Sequence, residues 1–285
     1  MSEMPSLLLT RQSFRGNRLV VSCVGLLLAI AVLSLAGPLV SSYSVDTIAF
    51  DQSFIAPTLE DGRLFGTDDL GRDLFVRTLK GTQITFLVAI VATLVSLVIG
   101  VLYGATAGYL GGKIDAVMMR AVDALYAMPF VFFVILLMVV FERSLFLIFV
   151  AIGAINWLDT ARIVRGQTMS IKQRSFVDAA RLTGVSSMGI IWRHIAPNLL
   201  GVVIVYITLT IPQVILFESF LSFLGLGVQE PQTSLGALVS EGVSRMERAP
   251  WMLLFPASFL ALMLLCLNFL GDGLRDMFDP KSHTG

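Results

Sequence analysis

Long apolar runs separated by short polar segments dominate the hydrophobic pattern of this chain. Six runs are candidates for membrane-crossing segments, at residues of about 19–40, 83–108, 121–141, 145–160, 199–224 and 251–271. A segment of roughly 20 apolar residues crosses the hydrocarbon core of a bilayer. Backbone polar groups in lipid must be paired within the segment, so each run is predicted to be helical. The pattern predicts an all-α integral membrane protein with six transmembrane helices.

The composition agrees with this pattern. The chain is 56% hydrophobic and 14% charged, whereas soluble domains carry about 25% charged residues. The first run follows Arg11, Arg15 and Arg18 and is longer than the roughly 7–15 residues of a signal-peptide core, so we predict a retained helix. Because the formal net charge is zero, charge gives no reason to expect a nucleic-acid partner.

The fourth run is short, and the distribution of Lys and Arg decides whether it is a span. With six spans and a cytoplasmic N-terminus, most of the 20 basic residues lie inside, as the positive-inside rule requires. Removing the fourth span inverts that distribution. We therefore predict that both termini are cytoplasmic. The chain divides into a tail, first helix and outer loop at 1–80, a five-helix core at 81–272, and a cytoplasmic tail at 273–285.

Small residues and prolines mark special positions within the predicted helices. Gly100, Gly104 and Gly108 recur every fourth residue and predict a groove against which another helix packs closely. Prolines within the third, fifth and sixth spans each remove a backbone hydrogen bond and permit a kink: Pro129, Pro212 and Pro256. Such kinks suit a moving gate, but static helix bundles contain them as well.

A basic, polar stretch at about 160–198 separates the fourth and fifth spans. Ser175 and Asp178 have the spacing of a capping box, which predicts a helix over 176–183. Gly184 predicts the helix end, and Ser186 or Ser187 then caps a second short helix, which is expected to end at Pro197 just before the fifth span. This layout is typical of a docking element for a partner protein. An amphipathic linker lying on anionic lipid headgroups is the alternative.

Four segments carry a resemblance to a known family. The residues from Asp178-Ala-Ala through Gly184 to His194-Ile-Ala-Pro197 resemble the EAA loop of binding-protein-dependent ABC importer permeases. Asp replaces the family's Glu at 178. The segments at 65–77, 217–231 and 268–281 are similar to the dipeptide and oligopeptide branch, and most similar to oligopeptide permease C subunits.

The resemblance implies a type I ABC importer permease fold in the inner membrane of a bacterium. The implied partners are a second homologous permease, two ABC ATPase subunits that bind ATP and magnesium, an extracytoplasmic peptide-binding protein and membrane lipid. The implied mechanism is alternating access, in which the loop is docked in a cleft of an ATPase subunit and ATP-driven closure of the ATPase dimer moves the permease helices. The residues assigned to this coupling loop are Phe176, Asp178, Ala179, Ala180, Gly184, His194 and Pro197.

Other candidate sites are weaker. Gly108–Lys113 superficially resembles a phosphate loop, but its spacing is wrong and Ile114 replaces the required Ser or Thr. No cofactor is therefore expected on this chain. The acidic residues of the outer segment at 66–73 do not have calcium-loop spacing, so a turn followed by a capped helix is favoured. No nucleophile–base pair or metal cluster indicates an enzyme.

Charges within or near the spans have open interpretations. Glu218 and Pro212 lie in the fifth span, where a carboxylate is costly and faces a cavity or a partner. They are candidates for the translocation path or gate, and bonding of Glu218 to Ser219 and Ser222 is the structural alternative. Asp123 and Asp159 lie three residues from Arg120 and Arg162 respectively, which favours pairing within each helix.

An ion-coupled secondary carrier is the alternative from another class. Such carriers are built from repeats around ion sites near the midplane of the membrane. The sequence shows no convincing internal repeat, and Glu218 is its single deep carboxylate. Within the peptide-importer branch, a dipeptide, a murein peptide or nickel remains an alternative cargo.

Overall fold

The computed structural model describes residues 18–45, 47–140 and 145–278. Ordered elements in these ranges are helical, apart from an isolated bridge between Thr67 and Asp73. The predicted N-terminal tail, the short loop at 141–144 and the last residues of the predicted C-terminal tail lie outside the described residues. Within the described ranges the fold is all-α, as predicted.

The chain forms ten α-helices in the described ranges. A short 3-10 helix at Phe50–Gln52 follows the first of them, and a π-helical turn at Ile191–Ile195 joins the seventh to the eighth. The helices are α1 Arg18–Val40, α2 Leu74–Leu110, α3 Gly112–Tyr126, α4 Phe130–Val140, α5 Leu145–Ile171, α6 Ser175–Leu182, α7 Ser187–Ile190, α8 Ala196–Phe223, α9 Leu235–Arg245 and α10 Trp251–Phe278.

Four helical stretches are long and apolar enough to cross a membrane. They are Arg18–Val40, Leu74–Leu110, Ser187–Phe223 and Trp251–Met277. They contain the predicted first, second, fifth and sixth spans, which are therefore confirmed as long apolar helices. Helix α8 continues through Pro212 and α10 continues through Pro256.

The predicted third span is not one continuous helix, and this prediction is wrong. Helix α3 ends at Tyr126, and α4 begins at Phe130. Pro129 lies directly before α4. Its ring lacks an N–H and disfavours helical backbone at Met128. The helix therefore ends and restarts where the sequence predicted only a kink.

The predicted fourth span is extended at its C-terminal end. Helix α5 runs from Leu145 to Ile171, beyond the predicted end at residue 160. Its additional turns carry Arg165, whose guanidinium bonds to both carboxylate oxygens of Asp115 on α3. Because a partner on another helix neutralises this charge, the basic stretch remains helical. The loop predicted at about 160–198 therefore begins only after Ile171.

The chain is organised as two compact units. One contains the described residues of Met1–Ile90 and Ile211–Gly285 together with Arg143–Ile148, and the other contains Val91–Glu142 and Phe149–Thr210. In the first unit, α1 buries a stripe at three- and four-residue spacing. Its Val20 side chain lies against Gly273 of α10. The division predicted at residues 80 and 272 follows chain order and stays a prediction.

The predicted glycine groove is present within the second unit. A Cβ added at Gly100 would lie 2.5 Å from the Cβ of Thr160, and one at Gly108 would lie 2.7 Å from the Arg165 carbonyl oxygen. A Cβ at Gly104 would overlap the carbonyl of Ala161. The ladder of glycines therefore allows α2 and α5 to approach each other at backbone distance.

We expect Gly104→Val to destabilise this helix pair by about 1–3 kcal/mol, because overpacking displaces backbone. Thermal unfolding of the purified complex in detergent measures the effect. Gly166→Val on α5 is the matched control, since a Cβ there meets nothing within 4 Å. Equal unfolding temperatures for the two variants would show that the groove does not hold the helices together.

Candidate functional site

The first loop helix, α6, begins without the predicted capping box. Its N-cap residue is Arg174, and no side chain caps the helix. The carboxylate of Asp178 instead accepts a hydrogen bond from Arg181 at 3.1 Å, one turn further along the helix. The arginine competes for this carboxylate because residues three apart share a helix face. The capping-box prediction is therefore wrong, although the helix itself is confirmed.

Gly184 ends α6 as predicted. Its φ of +80° is a left-handed backbone conformation that glycine adopts without steric cost. The Gly184 N–H donates to the Arg181 carbonyl at 3.0 Å, and the Val185 N–H donates to the Ala180 carbonyl at 3.1 Å. These two bonds form a Schellman motif, which satisfies carbonyl groups at the helix end. The bend between the two loop helices is thus fixed by backbone geometry.

The second loop helix continues into the membrane. Ser186 caps α7, since its hydroxyl oxygen accepts a bond from the Gly189 N–H at 3.2 Å. The expectation that Pro197 ends this element is wrong. The helix continues from Ser187 to Phe223 through the π turn at Ile191–Ile195. A proline cannot donate a backbone hydrogen bond, and the wider turn just before Pro197 accommodates that loss.

One face of the loop is anchored on the second unit. Buried side chains of α6, α7 and the π turn join those of three longer helices in one apolar cluster. The members from the loop are Val177, Ala180, Ile190, Ile191 and Ile195, and those from α2, α5 and α8 are Ala105, Tyr109, Val164, Ile171, Leu199 and Val203. The cluster holds the loop helices firmly against the helices they connect.

Both loop segments also expose large apolar side chains. Leu182 is 89% exposed, Met188 59% and Trp192 56%. These residues are close in sequence and lie on both sides of the Gly184 bend. Large apolar side chains left exposed on a surface are candidates for contact with a partner protein. We call the three side chains the loop patch.

The structure separates the sequence-predicted coupling residues into two groups. Asp178, Ala179, Gly184 and Pro197 are exposed. Ala180 is buried, Phe176 packs partly buried against the apolar cluster, and His194 is partly buried. Only the exposed residues are available to a partner, and the buried ones hold the loop in place.

Sequence reasoning missed the polar anchors beneath the loop. The Arg181 guanidinium lies 5.4 Å from the centre of the Tyr109 ring, and Lys172 Nζ lies 5.5 Å from it. The Arg165 guanidinium, by its hydrogen bonds, lowers the pKa of the Asp115 carboxyl against the opposing effect of burial. In the sequence, the acidic Asp115 and the aromatic Tyr109 were the residues that could have indicated partners for the basic side chains.

Glu218 is buried near the C-terminal end of α8, and its role in the translocation path or gate stays a prediction. It is fully buried, and its Oε1 accepts hydrogen bonds from Ser222 at 2.7 Å and Ser234 at 2.6 Å. The expected bond to Ser222 is present. Among the described residues, neither Glu218 Oε2 nor the Ser219 hydroxyl has a hydrogen-bond partner. Pro212 is also buried. Neither side chain is presented to solvent.

The acidic segment at 66–73 forms a buried charge network in the first unit. Asp73 caps α2, accepting a bond from the Val76 N–H at 2.9 Å, so the predicted turn and capped helix are confirmed. Asp68 is fully buried and accepts bonds from Arg72 at 2.7 Å and Arg77 at 2.6 Å. Arg77 also reaches Glu241 on α9 at 2.9 Å.

The predicted pairs within single helices are wrong. Arg162 on α5 pairs with Asp123 on α3 at 2.9 Å, and Asp159 accepts a bond from the Tyr126 hydroxyl at 3.2 Å. Both are contacts between helices. Because α3 packs against α5, Arg162 and Asp159 each find a partner on α3 and do not pair within their own helix.

Comparison with known proteins identifies the class. Residues 100–284 match the family described as "Binding-protein-dependent transport system inner membrane component". The chain belongs to this family. It is therefore a multi-pass, non-catalytic membrane component of an ABC-type transport system, and the predicted resemblance is confirmed.

Individual relatives cover nearly the whole chain. The oligopeptide transport system permease protein OppC of Escherichia coli K12 is 53% identical over 95% of this chain and 90% of the relative. OppC of Bacillus subtilis is 40% identical over 94% of this chain and 87% of its own length. The dipeptide transport system permease protein DppC of Bacillus subtilis is 42% identical over 97% and 87%.

Proposed function

We propose that this chain is a permease subunit of an ATP-driven, binding-protein-dependent importer of oligopeptides. It passes peptide across the inner membrane of a bacterium by alternating access. The family membership and the similarity to OppC proteins at up to 53% identity support this function. The observation that carries the mechanism is the loop patch, an exposed apolar surface on helices that are anchored to membrane-crossing helices.

The loop is built as a lever. Val177 and Ala180 are buried in the same apolar cluster as Tyr109 of α2 and Val164 of α5. Interiors packed in this way transmit strain because they have little free space. A force applied to the loop patch therefore moves α2 and α5 together with α6. In this mechanism Asp178, Ala179 and Gly184 contact an ATPase subunit.

The ATPase belongs to separate chains in this proposal. Gly108 lies within α2 against the backbone of Arg165, which is the geometry of a helix contact and differs from a phosphate-binding loop. The complete importer contains a second homologous permease, two ABC ATPase subunits with ATP and magnesium, and an extracytoplasmic peptide-binding protein. The basic loop and both termini lie in the cytoplasm, as the distribution of Lys and Arg supports.

Reconstitution into proteoliposomes tests this function. We expect the chain alone to import no labelled peptide, and the assembly of two permeases, two ATPases and binding protein to import it only with ATP and magnesium. Peptides of two to five residues, supplied separately, define the cargo length. An assembly with an ATPase variant that cannot hydrolyse ATP is the control. Uptake by the chain alone, driven by an ion gradient, would instead establish a secondary carrier.

A further inference from the structure

A cavity of about 360 Å³ opens in the second unit where the third span is broken. Leu125, Met128 and Phe133, at and around the break, line it together with Ile155 and Leu158 of α5. Its volume is in the range of small-ligand pockets, which are mostly apolar with a few polar groups that orient the ligand. Pro129, at the break itself, also lines the cavity.

The carboxylate of Asp159 lies beside a residue that lines the cavity. Tyr126 lines the cavity, and its hydroxyl donates to Asp159 at 3.2 Å from one oxygen and 3.4 Å from the other. Both distances are long for a bond to a charged acceptor. Arg162, one turn further along α5, pairs with Asp123 and covers the Tyr126 ring at 4.5 Å. In the described part of the chain, no basic side chain forms an ion pair with Asp159.

This arrangement selects a ligand that is both cationic and apolar. A carboxylate near the end of a membrane span is costly unless it faces water or a partner of opposite charge. The adjacent cavity accepts an uncharged side chain. The first residue of a peptide presents an ammonium group directly beside its side chain, and therefore matches both features.

We propose that Asp159 and this cavity form a subsite for the amino-terminal residue of the transported peptide. The ammonium group pairs with the Asp159 carboxylate, and an apolar or aromatic side chain enters the space beside Leu158 and Phe133. Charge complementarity favours this occupant over a lipid acyl chain, which would leave the carboxylate unpaired. The proposal rests on the proposed peptide-import function and deepens it.

Transport of matched peptides tests the role of Asp159 in the reconstituted complete importer. The probes are a peptide that begins with Phe and the same peptide with an acetylated amino terminus. We expect Asp159→Asn to lower import of the free peptide about tenfold, because hydrogen bonds to charged groups contribute about that factor. Import of the acetylated peptide stays unchanged. Asp69→Asn, at an outer carboxylate that pairs with Arg245, is the matched control and changes neither rate.

A second variant tests the cavity independently of charge. Ala154 lines the cavity, and Ala154→Phe fills it. We expect this variant to lower import of the peptide that begins with Phe and to retain import of the same peptide beginning with Gly. Retained import of the Gly peptide shows that the complex has assembled, so a folding defect is recognised. Mass spectrometry of the purified complex shows whether lipid, the competing occupant of the cavity, is bound.

The outcomes separate the two proposals. The subsite would be overturned if Asp159→Asn had equal effects on import of the free and the acetylated peptide. It would also be overturned if a bound lipid were lost in Ala154→Phe while peptide import stayed intact. Peptide import by the wild-type complex would then still support the proposed function. Failure of the wild-type complex to import either peptide, with ATP-dependent import of another cargo, would overturn the proposed function as well.

Discussion

We expect the Gly184→Val variant to assemble with its partner subunits and hydrolyse ATP while importing at least about tenfold less peptide. Gly184 has a φ of +80°, and the left-handed region costs a side-chain-bearing residue about 1–3 kcal/mol. Relief of that strain changes the bend that orients α6 relative to α7. A few kcal/mol corresponds to a factor of ten or more in an equilibrium. ATP hydrolysis and peptide uptake measured in the same proteoliposomes give the coupling ratio.

Gly62→Val is the matched control for this variant. Gly62 has a φ of +70°, and a Cβ there also meets nothing within 4 Å, so the substitution imposes similar strain in the outer loop. We expect its coupling ratio to equal that of the wild type. A wild-type ratio in Gly184→Val would contradict the lever role of the loop. A reduced ratio in both variants would indicate general destabilisation.

The second large effect is expected at Arg77, where Arg77→Met should destabilise the protein by about 3–5 kcal/mol. Arg77 is 2% exposed and contacts both Asp68 and Glu241. Without Arg77, the buried Asp68 carboxylate keeps only the Arg72 guanidinium, and Glu241 loses this partner. Removing one member of a buried ion pair costs more than the net contribution of the pair. Thermal unfolding of the purified complex and the yield of assembled complex measure the effect.

Arg245→Met is the control for Arg77→Met. Arg245 pairs with Asp69 at 3.2 Å, but its side chain is 51% exposed and that of Asp69 is 30% exposed. Exposed pairs contribute about 0–1 kcal/mol because water screens them. The control should therefore unfold close to the wild-type temperature. If the two variants were equally stable, the buried network would not hold the outer segment of the first unit together.

The expected effect at Arg77 also gives a physical account of the segment at 66–73. The carboxylate of Asp68 accepts hydrogen bonds from the backbone N–H groups of Leu70 and Arg72, both at 2.9 Å, in addition to its bonds from the two guanidinium groups. The short turn therefore orients the carboxylate, and Arg72 within the turn and Arg77 on α2 neutralise it. Shortening or lengthening this turn would misplace the carboxylate, which explains why these residue types occur at this spacing.

Local signals in the sequence were sufficient for most of the helices and for the bend in the loop. Apolar run length identified four long helices, and Gly184 identified the bend because glycine adopts its left-handed backbone conformation without steric cost. The glycine spacing at 100, 104 and 108 identified the close helix pair. Each of these features is decided by a few neighbouring residues, so the sequence alone determines it.

Charge pairing and helix continuity were decided by tertiary structure. Arg162 pairs with Asp123, 39 residues away, whereas spacing along one helix predicted Asp159 as its partner. Arg77 pairs with Glu241, 164 residues away, and no local pattern indicated that contact. Proline has opposite results at two positions, since the helix is broken at Pro129 but continues through Pro197. A proline removes one hydrogen bond in either place, and only the packing around it determines whether the helix ends or continues through a wider turn.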